Sequence, residues 1–327
     1  MRPLSTPNLR PFVAAFILAL AVGAAFWIPA LAAGRGYFPA PLDDVYIHFD
    51  FARSLAHGHP FEWMPGNGYS SGETSPLYAV VLALGWVCGF HDRLIGVFGA
   101  IIAVFAVSSF VRSVQRIIRP CRSLLAWVIA LLLLSIGIVD WTLFSGMEVA
   151  LFAAVLGKTL EALARARARI DEREGLTREA SQWRLGVWAS ALVLLRPEAG
   201  ALVAVFAVFA ARGAGSRSGV AAIMRAGLPG ALATGVVLVA NHVATGEAQS
   251  AGAQLKLLSS LPPFRSPDRI QGRCAKIQDR RRNQPCSPFL SLRHFDCRSL
   301  VESKGRSRGM KDPSASYQLR YWLKAEV

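Results

Sequence analysis

The sequence predicts an all-α integral-membrane protein, a multi-span helical bundle whose extracytoplasmic first loop holds short juxtamembrane helices. Three observations predict it. Hydrophobic residues make up 53% of the 327 and charged residues only 17%, with a mean hydropathy of +0.37, whereas a soluble chain carries about 25% charge. Several apolar runs approach the roughly 20 residues that cross a bilayer core. The loops between them differ in basic content in the way that sets membrane orientation. The formal charge of +15 would point to nucleic acid if it lay on one soluble face. It is spread over loops and the C-terminal segment, so nucleic acid is not an expected partner. The five cysteines contain no CxxC spacing, which supports neither a disulfide framework nor a zinc site.

The first run, Phe12–Ala33, is 22 residues without a charge. It is too long for the h-region of a signal peptide, roughly 7–15 residues, and reads as an uncleaved span. Residues 34–75 form a polar, aromatic, Gly/Pro-rich loop. Further apolar runs follow at 76–90, 94–111, 124–139, 149–157, 185–195, 199–211 and 226–240. Several need tilt or flanking polar residues to cross. Residues 112–122 hold four arginines and no acid, and 212–225 hold three and no acid, while 34–75 holds two arginines against five acids. The arginine-rich loops are expected in the cytoplasm and 34–75 outside. An odd number of crossings must then separate 75 from 112. The run 94–111 takes that crossing, and 76–90 lies along or dips into the outer surface. Alternation of the remaining runs brings three charged clusters to that surface: Asp43 with Asp44, Asp140 with Glu148, and Arg196-Pro197-Glu198.

A polytopic domain is expected over 1–260 and a basic tail over 261–327. Residues 265–327 hold 15 Lys/Arg and six Asp/Glu and no apolar run long enough to span. Such a segment reads as a disordered tail or as the product of a shifted reading frame. In the second case the chain is expected to lack part of its working surface.

Two adjacent carboxylates, Asp43 and Asp44, stand about ten residues beyond the first span. Ionised groups at an apolar boundary often mark function. One of a pair can take a proton while its neighbour orients it or holds a cation. They equally suit the N-terminus of a helix over 45–56, and the two roles are compatible. Aromatics in 58–78 read as a sugar-binding groove or as interfacial anchors. Thr74 or Ser75 is placed to cap a helix starting at Pro76. His48, His57 and His59 read as structural rather than metal-ligating: His48 on the helix, the other two flanking a glycine turn.

The string Asp43-Asp44-x-Tyr46-Ile47-x-Phe49-x-x-Ala52-Arg53-x-Leu55-Ala56-x-Gly58-His59, together with Pro65-Gly66 and Gly72-Glu73-Thr74-Ser75-Pro76-Leu77, resembles the first outer loop of C-type membrane glycosyltransferases. It is most like the bacterial branch of arabinofuranosyltransferases and mannosyltransferase-like proteins. Ser145-Gly146-Met147-Glu148 and Leu195-Arg196-Pro197-Glu198-Ala199-Gly200 add support. The stretch from Gly246 to Lys256 adds less, because it lacks the Pro-Asn of the family pattern. The resemblance covers roughly residues 10–260. It implies a hexosyl- or pentosyltransferase of the bacterial cytoplasmic membrane. Such an enzyme moves a sugar from a polyprenyl-phosphate donor to an extracytoplasmic cell-envelope glycan or lipid. It further implies Asp43 as catalytic base with Asp44 beside it, and Glu148, Arg196, Glu198 and Lys256 as substrate-binding residues. Glu148 would bind a sugar hydroxyl or cap a helix, and Arg196 and Lys256 would face the phosphate. Some members use a divalent cation held by carboxylates, and here Asp43 and Asp44 would be its candidate ligands. Family members continue into further spans, and this chain ends its apolar runs near residue 244.

Two other classes compete with an enzyme. A transporter predicts charges near mid-span and internal repeats; the acids sit at helix ends, and no repeat stands out. A non-catalytic membrane fragment predicts that acid substitutions are silent while helix deletions are not.

Overall fold

The computed structural model describes residues 10–34, 38, 40, 42–118, 123–168, 175–212 and 216–249. The chain divides into two compact units, Met1–Ala251 and Gly252–Val327. The second lies outside the described residues, as do the predicted basic tail and Lys256. The described part is all-helical, with no strand and a single isolated bridge between Glu62 and Tyr69.

Among the described residues ten helices follow one another: α1 (Arg10–Ala33), α2 (Asp43–Ala56), α3 (Pro76–Val87), α4 (Leu94–Ile118), α5 (Ser123–Leu134), α6 (Gly137–Phe144), α7 (Val149–Ala168), α8 (Gly175–Leu195), α9 (Ala199–Ala211) and α10 (Ser216–Thr245). Three are long and apolar enough to cross a membrane, namely α1, α4 and the Ser218–Thr245 part of α10. The expected single run at 124–139 is broken instead. α5 and α6 meet at an angle of 81°. The Ser135 hydroxyl donates to the Leu132 carbonyl at 2.8 Å, where the α5 ladder ends, and Gly137, a poor helix former, restarts the chain in a new direction. α3 and α9 are apolar but have only 12 and 13 residues, or about 18–20 Å at 1.5 Å per residue. That is short of a bilayer core of about 30 Å.

Small residues let the long helices approach closely, the device typical of packing in lipid. A Cβ on Gly186 of α8 would sit 2.5 Å from the Arg225 carbonyl oxygen of α10, and one on Gly157 of α7 would sit 2.8 Å from Ser113 Cβ of α4. Ala15 and Ala19 of α1 are fully buried in a cluster that includes residues of α4, and the Phe16 ring packs tilted against Phe105 with centroids 5.2 Å apart. The outer faces are equally apolar. Val13, Ile17, Leu20 and Ile28 of α1 and Leu232, Val236, Val239 and Val243 of α10 are all exposed, in helical register. Apolar stripes this long are not stable against water. They are the surface of a membrane-associated protein.

α2 and α3 close one end of the bundle. α2 starts after an extended Leu42 and buries Val45, His48 and Ala52 on one face. Pro76 occupies the first position of α3, as expected, and Ser75 the N-cap, but the Ser75 hydroxyl makes no capping bond. The Glu73 carboxylate takes the Ser75 N–H at 2.6 Å instead. α3 ends on Gly89 (φ +99°) with Phe90 N–H on the Gly85 carbonyl and Gly89 N–H on Trp86, both 3.0 Å, a Schellman closure.

Candidate functional site

The site forms where four separated segments meet at that end. α2 supplies His48. The turn before α3 supplies Glu73. The turn Ser145-Gly146-Met147 delivers Glu148 to the start of α7, where its carbonyl accepts the Phe152 N–H at 2.9 Å. The tight α8–α9 turn supplies Arg196. Gly146 holds φ +92°, which a side chain would strain, and a Cβ there would also press on Val45 Cγ1 at 3.2 Å. The Tyr78 hydroxyl donates to the Gly146 carbonyl at 2.7 Å. α2 and α3 thus grip this turn and fix Glu148.

The four side chains form one chain of contacts. His48 Nδ1 lies 3.0 Å and 3.1 Å from the two Glu73 carboxylate oxygens. His48 Nε2 lies 3.2 Å from Glu148 Oε2. Arg196 Nη2 meets Glu148 Oε1 at 2.5 Å. The Tyr78 ring stands edge-on to the imidazole, centroids 5.4 Å apart. The side chains of His48, Glu73 and Glu148 are 4%, 1% and 3% exposed, and that of Arg196 is 42% exposed. Burial alone would lower the His48 pKa, yet hydrogen bonds and charge from Glu148 and Glu73 outweigh it and raise the imidazole to about 9. Burial would raise Glu148, and His48 with Arg196 overcome it, so its carboxyl lies below its ordinary value. At neutral pH the network is therefore a histidinium between two carboxylates, with a guanidinium at its outer edge.

Of the expected site residues, Glu148 and Arg196 are brought into direct contact. Asp44 is exposed in the first turn of α2, one helical turn before His48. Asp43 opens the same helix, with its side chain outside the described residues, so a cation held by the pair falls outside them too. Glu198 is exposed at the N-cap position of α9 and forms no side-chain capping bond. Asp140 lies in the first turn of α6. Among the described residues no group of three or more His, Cys, Asp or Glu is arranged to hold a metal ion. Glu73 and Glu148 illustrate why: they are engaged by opposite nitrogens of one imidazole and do not converge. His57 Nδ1 donates to the Arg53 carbonyl at 2.8 Å, and His59 pairs with Glu62 at 3.2 Å.

Glu73 and His48 are the participants that sequence reasoning did not nominate. Glu73 stood inside a quoted motif but 25 residues from His48 and 75 from Glu148. The only available signal for His48 was its spacing of four from Asp44. The loop over the site is tied down at its far side, where the Tyr69 hydroxyl donates to Asn241 Oδ1 of α10 at 2.5 Å. Trp63 stacks near Phe51, and its Nε1 donates to Asp50 Oδ2 at 3.3 Å. Burial raises the Asp50 carboxyl, opposed by Arg53 and by this bond.

No family model matches the chain, and no curated protein or solved structure matches it.

Proposed function

We propose that this chain is a multi-span glycosyltransferase of the bacterial cytoplasmic membrane that takes its sugar from a polyprenyl phosphate. The observation that carries the reading is the union of His48, Glu73, Glu148 and Arg196 at the end of the bundle where α2 presents Asp43 and Asp44. Three segments expected on the outer surface from loop charge alone meet there. The exposed apolar stripes of α1 and α10 support the membrane setting.

In this reading the acceptor hydroxyl attacks the anomeric carbon of the donor. A new C–O bond forms as the bond from that carbon to the phosphate oxygen breaks. The acceptor proton passes to the Asp43 carboxylate, with Asp44 beside it, and polyprenyl phosphate leaves with the bonding electron pair. Arg196, half-exposed, offers its open donors to that phosphate; Lys256, to which the resemblance gives the same role, lies outside the described residues. Glu198, exposed at the start of α9, is the open carboxylate for a sugar hydroxyl, while Glu148, held by His48, orients Arg196. The acceptor is a cell-envelope glycan or lipid.

The test uses the full chain in proteoliposomes with two radiolabelled donors, polyprenyl-phosphate arabinofuranose and polyprenyl-phosphate mannose. Transfer to a lipid or glycan acceptor is expected with one of them. Asp43→Asn or Asp44→Asn should lower it by at least about 10²-fold, the lower range for a positioned general base. Unchanged transfer in both variants would refute the assignment. A second reading has one observation in its favour: the four network groups pair by charge and sum to zero, as a purely structural clamp would. It predicts no transfer with either donor and loss of folding when the network is cut.

A further inference from the structure

We propose a second site at the opposite end of the bundle, one that binds the phosphate headgroup of an anionic bilayer lipid. A cavity of about 370 Å³ opens there between α4, α7 and α8, within the range of small-molecule pockets. Arg116 of α4, Lys158 and Arg165 of α7 and Arg184 of α8 all line it. One acid faces them, Glu161, whose side chain is only 3% exposed. Its carboxylate reaches Arg165 at 2.6 Å, Lys158 at 3.2 Å and Arg116 at 3.3 Å.

A single negative charge cannot balance four positive ones. Glu161 gathers the cations around one point and leaves their outer donors unsatisfied. The Arg116 and Arg165 side chains are 48% and 46% exposed, and Arg184 makes no ion pair among the described residues. An anion with several acceptor oxygens and at least one full charge suits that arrangement, and a phosphodiester has both. The rest of the wall argues for a lipid rather than free phosphate. Val187, 63% exposed, and Trp188 line the same cavity. An apolar rim with an indole beside a cation cluster suits the boundary between headgroup and acyl chain. Basic pockets between helices on the cytoplasmic side bind anionic headgroups, and the arginine-rich loops place this end there. The site rests on the membrane setting and not on sugar transfer.

The full chain is reconstituted in nanodiscs of equal phosphatidylcholine and phosphatidylglycerol, released into mild detergent, and its retained lipids are counted by native mass spectrometry. Phosphatidylglycerol should be retained in preference. Arg184→Gln should weaken retention about fivefold and Arg116→Gln/Arg184→Gln about 25-fold, at roughly one charge's attraction per residue. Arg184→Lys, which keeps the charge, should retain most of it. Circular dichroism confirms that the variants fold. Equal retention of both lipids by the unaltered chain, or equal phosphatidylglycerol retention by the double variant, overturns the site. Inorganic phosphate titrated calorimetrically into phosphatidylcholine-only nanodiscs should give no heat; saturable binding lost in the double variant overturns the lipid assignment. None of these readouts involves sugar transfer, so this site and the enzyme reading fail independently.

Discussion

His48→Gln cuts the buried network at its centre, and its effect should depend on pH in a defined direction. His48 has an ordinary pKa of 6.5 and stands at about 9 in the folded chain. A base whose folded pKa is raised contributes stability that is fully present below pH 6.5. That contribution is lost as pH rises through about 9. A gap of roughly 2.5 units, at 1.36 kcal/mol per unit, corresponds to about 3 kcal/mol. With a side-chain exposure of 4% at His48 and 1% at Glu73, solvent screening removes little of it. The assay is denaturant unfolding of the full chain in detergent micelles, followed by near-UV circular dichroism from pH 6 to 10, for the original chain and for His48→Gln. The difference between the two should be largest near pH 6 and shrink by about 3 kcal/mol towards pH 10. Subtracting the variant removes titration of Lys and Tyr elsewhere. Parallel pH curves, with the same difference at both ends, would show that His48 is neutral between Glu73 and Glu148 and would refute the electrostatic account.

Three further outcomes are expected. Gly186→Ala places a Cβ 2.5 Å from a backbone oxygen of α10, which cannot move aside as a side chain can, so the unfolding free energy should fall by about 1–3 kcal/mol; an unchanged midpoint would mean that α8 and α10 do not pack this closely. Trp27→Phe removes a buried bond of 3.0 Å to the Phe144 carbonyl and should cost about 1–3 kcal/mol by leaving that oxygen unpaired, measured in the same denaturant series. Cys88 is exposed just beyond α3, so with the other cysteines replaced by serine it should react with a membrane-impermeant maleimide added outside spheroplasts; reaction only after lysis would invert the topology.

The run-and-loop pattern carried the all-helical part of the fold class, because long uncharged stretches leave a chain few options other than helix, and three of the helices are long and apolar enough to cross a membrane. Helix lengths were less legible. α7 continues from the apolar stretch 149–157 to Ala168, because Lys158, Glu161 and Arg165 pair at helical spacing and extend it. The break at 135–136 was missed, since no proline marks it and a serine with a glycine two residues on is a weak signal. At the site, Glu148 and Arg196 were legible as separate charged clusters whose loops share one side. Their contact was not, because they stand 48 positions apart in the sequence. Glu73 was invisible for a subtler reason. Its carboxylate accepts the N–H of Ser75 just before α3, and no local pattern distinguishes an acid that only braces a helix start from one that also holds a histidine.

The charges of the site decide which group can meet a substrate. Glu73 and Glu148 are buried and already committed to His48, and exposing either would leave an uncompensated charge behind, a loss of several kcal/mol. His48 has both ring nitrogens engaged. Arg196 differs, because Glu148 occupies one side of a guanidinium that has five donors in a fixed plane and whose side chain is 42% exposed. Glu148 thus fixes Arg196 without exhausting it. A phosphate arriving at its open edge would find a donor already oriented by a carboxylate that is itself held by His48 and Glu73, so little side-chain freedom remains to be lost on binding. The network supplies no net charge to attract that phosphate. Its contribution is rigidity, and in the proposed reading the reactive charge falls to Asp43 and Asp44 at the start of α2.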